Sequence, residues 1–272
     1  SGVEASVHGA TRTEESAADV RERLGIPCGT DNLSAAQGAD IVLLGVKPHQ
    51  AEKVLRELAP VFTSDQLLLS ICASITTKQL TEWSGGKATV IRAMPNTPCL
   101  IDEGMTVFCS GAGVRPQQLE AAERIFGPLG RTAVVEESLM DGVTGLSGCG
   151  PAYVYLIIEA LSEAGVKIGL PRETATLLAA QTLAGASRMV LERGVHPAAL
   201  KDEVTTPAGC TIDGLMALED GKLRVTLIKG KAGEIIASRD IAHHDELIAL
   251  LASEFGISLP AGSRIAATNL VW

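Results

Sequence analysis

The chain has 272 residues, 46% of them hydrophobic and 20% charged, which suits one large or two modest folded domains and excludes the disordered class. Its formal net charge of −9 argues against nucleic acid as the main partner, and it has no apolar run long enough to span a membrane. Six cysteines, at positions 28, 72, 99, 109, 149 and 210, form no C-x-x-C pair and no zinc spacing, and read as reduced thiols of a cytoplasmic protein.

Residues 7–10 are a short apolar stretch that predicts a strand, followed by the tip Thr11-Arg12-Thr13 and a helix to about residue 24. A second strand-like piece ends at Thr30-Asp31-Asn32, and 34–38 predicts a short helix. The continuous apolar run 41–46 is what a buried parallel strand requires, and Lys47-Pro48-His49 breaks it before a helix over 50–58. Strands are predicted over 67–72, 89–94, 105–109 and 132–135, with helices over 76–83 and 116–129. Pro95-Asn96-Thr97-Pro98 is a loop. Strands alternating with helices in this way predict an α/β, Rossmann-like doubly wound, mostly parallel sheet over residues 1–137.

From about residue 138 the pattern is helical only, which predicts an all-α domain over 138–272. Pro151 opens a helix through about residue 164, and Pro171 opens another that ends at Arg193-Gly194. Ala179, Ala180, Ala184, Gly185 and Ala186 put small residues on several faces of that second helix, so burial against a second copy of the chain is expected. His243 and His244 point to different helix faces and indicate no metal site. The chain opens at Ser1 without an initiator Met, as though cut from something longer.

Residues 197–219 carry the densest pattern. Pro197 can open a short helix to about residue 204, and a second helix is expected over 211–219. Between them lie Thr205, Thr206, Pro207, Ala208, Gly209, Cys210 and Thr211. A helix start after such a loop offers unpaired N–H groups and the positive end of a dipole to a carboxylate or phosphate. The same residues also make an ordinary capped helical hairpin, and spacing alone favours that reading.

Other candidate site residues lie where carboxyl ends of parallel strands are expected: Thr11, Arg12 and Thr13; Val46, Lys47 and Pro48 with Asn32 upstream; and Asn96. A basic, hydroxylic tip suits the 2′-phosphate of NADP, although a solvated helix start reads equally well. The two later loops also read as proline-stiffened turns.

The 197–219 stretch resembles the signature of the pyrroline-5-carboxylate reductases. Pro197, Leu200, Val204, Thr205, Thr206, Gly209, Thr211, Gly214, Leu215, Leu218 and Glu219 stand in its register. The likeness continues at Val46-Lys47-Pro48, Asn96-Thr97-Pro98, Thr144-Gly145-Leu146-Ser147-Gly148 and Gly150-Pro151-Ala152-Tyr153, and runs to about residue 240. The resemblance implies a reductase of 1-pyrroline-5-carboxylate to L-proline that uses NADPH, with NADH the alternative. It implies Thr211 as donor to the imine nitrogen. Thr206, Ala208 and Gly209 would hold the substrate carboxylate, and the three loops with Asn32 would wrap the dinucleotide. It further implies a homodimer, or a higher oligomer, built by the helical half.

Two features depart from the resemblance. No Gly-x-Gly-x-x-Gly loop occurs, and the first strand of the sheet, expected between 7–10 and 41–46, is missing. Unpaired inner strand edges, a loosened first domain and weak NADPH binding are therefore expected. An inactive fragment that keeps only its dimerising helices is one competing reading. A hydroxyacid dehydrogenase is another, but Val154 and Ile158 stand where those enzymes carry Lys and Asn. The tail 243–272 follows no family pattern and has no assigned role.

Overall fold

The computed structural model describes residues 6–234 and 264–268. In the first compact unit an eight-stranded sheet has the order β2-β1-β8-β3-β4-β5-β6-β7. The strands are β1 (Ser6–Ala10), β2 (Cys28–Gly29), β3 (Ile41–Leu44), β4 (Leu67–Ser70), β5 (Thr89–Met94), β6 (Gly104–Ser110), β7 (Gly130–Val134) and β8 (Arg264–Thr268). Every pair is parallel except β5 with β6.

Alternation along the strands divides the core between two faces. Ile41 and Leu43 of β3, with Leu67, Leu69 and Ile91, pack under α1 (Glu14–Leu24) and α5 (Pro116–Phe126). Val42 and Leu44, with Leu68 and Val90, pack under α2 (Asn32–Ala36), α3 (Pro48–Leu58) and α4 (Thr77–Trp83). Helices on both faces explain why β3 is apolar throughout, as the uninterrupted run requires. Local chemistry sets the helix limits. Thr13 caps α1, Thr76 and Gln79 form a capping box at α4, and Pro48 occupies the first turn of α3.

The second unit runs Gly150–Glu234. It contains α7 (Gly150–Lys167), α8 (Arg172–Arg193), α9 (Pro197–Glu203), α10 (Cys210–Asp220) and α11 (Leu223–Glu234). Gly165 of α7 packs so closely on α8 that an added Cβ would lie 2.8 Å from the Ala175 methyl. Gly194 ends α8 in the left-handed conformation, φ 60°. None of the described helices is long and apolar enough to cross a membrane.

Two expectations are corrected. The slot for a missing first strand is filled: β8 lies between β1 and β3 and pairs in parallel with both. The unpaired inner edges of those strands are what its backbone satisfies. The division between units falls at Cys149–Gly150 rather than 137–138, and β8 belongs to the first unit rather than the helical one. The reason is packing: α6 (Met140–Val143) follows residue 138, yet its Met140 is fully buried against Met94, Val107 and Cys109 of the sheet. The remainder of the 243–272 tail, with His243 and His244, lies outside the described residues.

All six cysteines are unpaired; Cys28, Cys72, Cys99 and Cys109 are buried and Cys210 is exposed. Burial pushes the Cys72 thiol from 9.0 up to about 12, against the smaller opposing pull of bonds with Ser70 and Val46. The folded state therefore keeps a proton that the unfolded chain loses. Stability from this thiol should be complete below about pH 9 and be lost as pH rises towards 12. Equilibrium unfolding across that window is the check, with Cys72→Ala expected to flatten the decline.

Candidate active site

In the first unit the candidate site is the carboxyl edge of the sheet. Ala10, Thr268 and Leu44 stand in register on β1, β8 and β3, and Ser70 and Arg92 continue the row on β4 and β5. The chain leaves β2 towards β3 by crossing β1 and β8, so strand order reverses here, where doubly wound sheets bind ligands. The loops carrying Thr11–Thr13, Asn32, Val46–Pro48 and Asn96 all leave strands at this edge.

These candidates have different local roles. Thr11 is turned inward, 1% exposed, with its hydroxyl donating to the Thr13 carbonyl at 2.9 Å. Thr13 caps α1 by accepting from the Ser16 N–H. Both hydroxyls shape the turn that carries Arg12. Arg12 remains exposed and takes part in no ion pair among the described residues. Asn32 is buried, and its Nδ2 donates to both carboxylate oxygens of Glu57 at 3.4 Å. Its Oδ1 is buried without a donor among the described residues. A buried acceptor in that state is what a ligand hydroxyl or amine would satisfy.

The later loops are more committed. Val46 is buried, and its carbonyl accepts from the Cys72 thiol at 3.1 Å; Pro48 opens α3, with Lys47 preceding it half-buried. Asn96 Nδ2 donates to the carbonyl and hydroxyl of Ser147 at 3.2 and 3.3 Å, and Oδ1 accepts from the Met105 N–H at 2.9 Å. Its side chain braces the loop from within. Ser147 lies in a π-helical turn, Thr144–Gly148, inside the quoted glycine motif, but only its spatial partner discloses what it does. No Gly-x-Gly-x-x-Gly segment follows a strand among the described residues.

In the second unit the candidate site is the start of α10. Ala208 has φ 60°, a left-handed conformation unusual for a residue with a Cβ. Gly209 follows as N-cap, and a Cβ there would lie 2.5 Å from the Thr206 hydroxyl. The turn thus forces Thr206 Oγ1 against the helix start and requires glycine beside it. Gly209 N–H donates to the Thr206 carbonyl at 3.0 Å, so it is spent inside the turn and is corrected as a carboxylate ligand. The N–H groups of Ala208, Cys210 and Thr211, and the hydroxyls of Thr206 and Thr211, make no hydrogen bond among the described residues. Several donors at the positive end of an eleven-residue helix suit a small carboxylate. Thr205 is different, since its hydroxyl is taken by the Lys201 carbonyl at 2.9 Å.

The first unit carries a switch-point edge suited to a dinucleotide, and the second, taken by itself, a donor-lined helix start suited to a small carboxylate; these are the parts a dinucleotide-dependent oxidoreductase of a small acid needs. Residues 137–237 match the family model for pyrroline-5-carboxylate reductase dimerisation, and residues 1–74 match that for NADP oxidoreductase, coenzyme F420-dependent. The chain is 40% identical over 224 residues to the pyrroline-5-carboxylate reductase of Arabidopsis thaliana, covering 82% of this chain and 81% of that protein. The solved pyrroline-5-carboxylate reductase of Coxiella burnetii superposes with a TM-score of 0.80 at 32% identity, over 91% of this chain and 99% of that one. The Plasmodium falciparum enzyme, solved with NADP bound, gives 0.75 at 31% identity, over 88% and 98%. The chain belongs to the pyrroline-5-carboxylate reductase family.

Proposed function

We propose that this chain reduces 1-pyrroline-5-carboxylate to L-proline, using NADPH with NADH as the weaker alternative. The observation that carries the reading is the start of α10, where unbonded Thr206 and Thr211 hydroxyls and unbonded N–H groups meet. Thr206 and the Ala208 and Cys210 N–H groups hold the carboxylate. Thr211 Oγ1 donates to the imine nitrogen and so holds the C=N carbon, the one atom that can take hydride, in a fixed place. The nitrogen is basic enough to take the proton that completes the amine from solvent water, so no Asp, Glu or His need act as a strong acid, and orientation supplies most of the catalysis. Bound NADPH supplies the hydride. Arg12 and Asn32 hold its adenosine half.

The decisive assay follows NADPH oxidation by the full chain with the cyclic imine and with hydroxyacids as alternative substrates. Turnover of hydroxyacids alone would overturn the reading. Arg12→Ala should lower the NADPH-over-NADH preference by about tenfold, the worth of a charge-assisted bond of roughly 1.5 kcal/mol. Ratios of kcat/KM for the two cofactors check it, and an unchanged ratio would remove Arg12 from the phosphate site.

We also propose a homodimer, or a higher assembly of such dimers, built by the second unit, in the cytoplasm and without nucleic acid. Among the described side chains of that unit only Ser162, Ala175 and Ala179 are buried, while Tyr155, Leu156, Leu177, Leu178 and Met216 are more than half exposed. Apolar helix faces this open need a partner. Unpaired cysteines support a reducing compartment.

A further inference from the structure

The reaction as proposed leaves one buried charge unused. Arg92 of β5 is 3% exposed, on the sheet face that also carries Val90 and Met94. Two carboxylates approach it: Glu137 Oε1 lies 3.8 Å from Nη1, and Asp141 Oδ1 lies 3.9 Å from Nη2. Neither is a hydrogen-bond distance, and Nη2 is buried without a hydrogen-bond partner among the described residues. Glu137 is anchored from its other side. It accepts from the Thr77 N–H and the Thr77 hydroxyl, each at 2.6 Å, at the first turn of α4. One cation is therefore shared by two acids, both on the stretch that joins the sheet to α7. A buried guanidinium with an unsatisfied nitrogen is costly, and a methionine would fill the space without that cost.

The same stretch touches β5 and its loop at two further points. An added Cβ at Gly148 would lie 2.7 Å from the Met94 methyl, and Asn96 bonds both the carbonyl and the hydroxyl of Ser147. Residues 92, 94 and 96 thus hold the stretch 137–149 at three successive places. The last of these is the loop at the carboxyl edge.

We propose that Arg92 is a positioning residue, which holds Glu137 and Asp141 and thereby sets the Asn96–Ser147 loop for hydride transfer. The kinetic part rests on the function proposed above; the structural part does not. Arg92 touches neither substrate nor cofactor in this scheme. Its loss should leave nucleotide binding at Arg12 and Asn32 in place and misplace the reacting end.

The test compares wild type, Arg92→Met, Glu137→Gln and the double variant in the full chain. At saturating substrate, Arg92→Met should lose about tenfold or more in kcat per folded enzyme, as small misplacements do. The NADPH dissociation constant, read by fluorescence, should shift by no more than about threefold, and amide exchange at Cys149, bonded to the Thr144 carbonyl, should quicken. The double variant should be no slower than Arg92→Met, because Arg92 acts through Glu137 and the two lie on one path. If Arg92→Met does not fold, Glu137→Gln, which keeps the shape, should show the same pattern in weaker form. Wild-type kcat together with wild-type Cys149 exchange in the folded variants would overturn the proposal, as would additive losses in the double. A wild type without imine turnover would instead overturn the proposed function, and the exchange data would still judge Arg92.

Discussion

Proline at position 266 is expected to open the centre of the first unit's sheet and abolish NADPH binding, while the helical unit stays folded. Ala266 of β8 stands between His8 of β1 and Val42 of β3. Both neighbours are parallel strands, so a residue there has backbone partners on either side. Proline lacks the N–H and its ring crowds the pairing, which is why central strands exclude it. The expected cost is about 3 kcal/mol or more, against a typical total of about 5–15 kcal/mol for a domain. Amide protection in β1 and β3 should fall roughly a hundredfold or more, at one decade per 1.4 kcal/mol. The crevice at the ends of β1, β8 and β3 would lose its floor, and nucleotide binding with it. Amides of α7 and α8 belong to the other unit and should keep their protection. Hydrogen exchange read segment by segment decides the matter. Unchanged protection of β1 and β3 in Ala266→Pro would show that β8 does not complete the sheet.

Thr211→Ala is expected to lower turnover by about 5- to 150-fold with little change in stability, the worth of one hydrogen bond of roughly 1–3 kcal/mol to a reacting group. The structure makes the fold part of that expectation specific. The Thr211 hydroxyl has no hydrogen bond among the described residues, so its removal leaves no buried partner unsatisfied. Thr211→Ser should keep most activity, because the donor remains. Steady-state kcat for the two variants, with unfolding midpoints as control, is the measurement. Equal losses in Ala and Ser would mean that the methyl group and its packing matter, not the hydroxyl. Gly209→Ala would differ from both: its Cβ would meet Thr206 Oγ1 at 2.5 Å and so disturb the carboxylate side of the site.

Much of the fold was legible because its causes are local. The period-one apolar run at β3, the Thr76 helix start and the Gly194 stop each carry their own chemistry within a few residues. The two helices around Thr206 and Thr211 were legible for the same reason, and a long residue-by-residue resemblance named their chemistry. What such local patterns could not supply was commitment among distant groups. Nothing around Thr11 or Asn96 says that one hydroxyl turns inward or that one amide is spent on Ser147 and Met105. Nothing in Val-Ile-Arg-Ala-Met says that Arg92 is buried, since its acids arrive only after two more strands have formed. β8 is the clearest case. Arg-Ile-Ala-Ala-Thr is short and carries no marker of its place, and the sequence accordingly left the slot between β1 and β3 empty. Only the tertiary structure brings those two strands into position with unpaired facing edges, and it is the backbone groups on those edges that select β8.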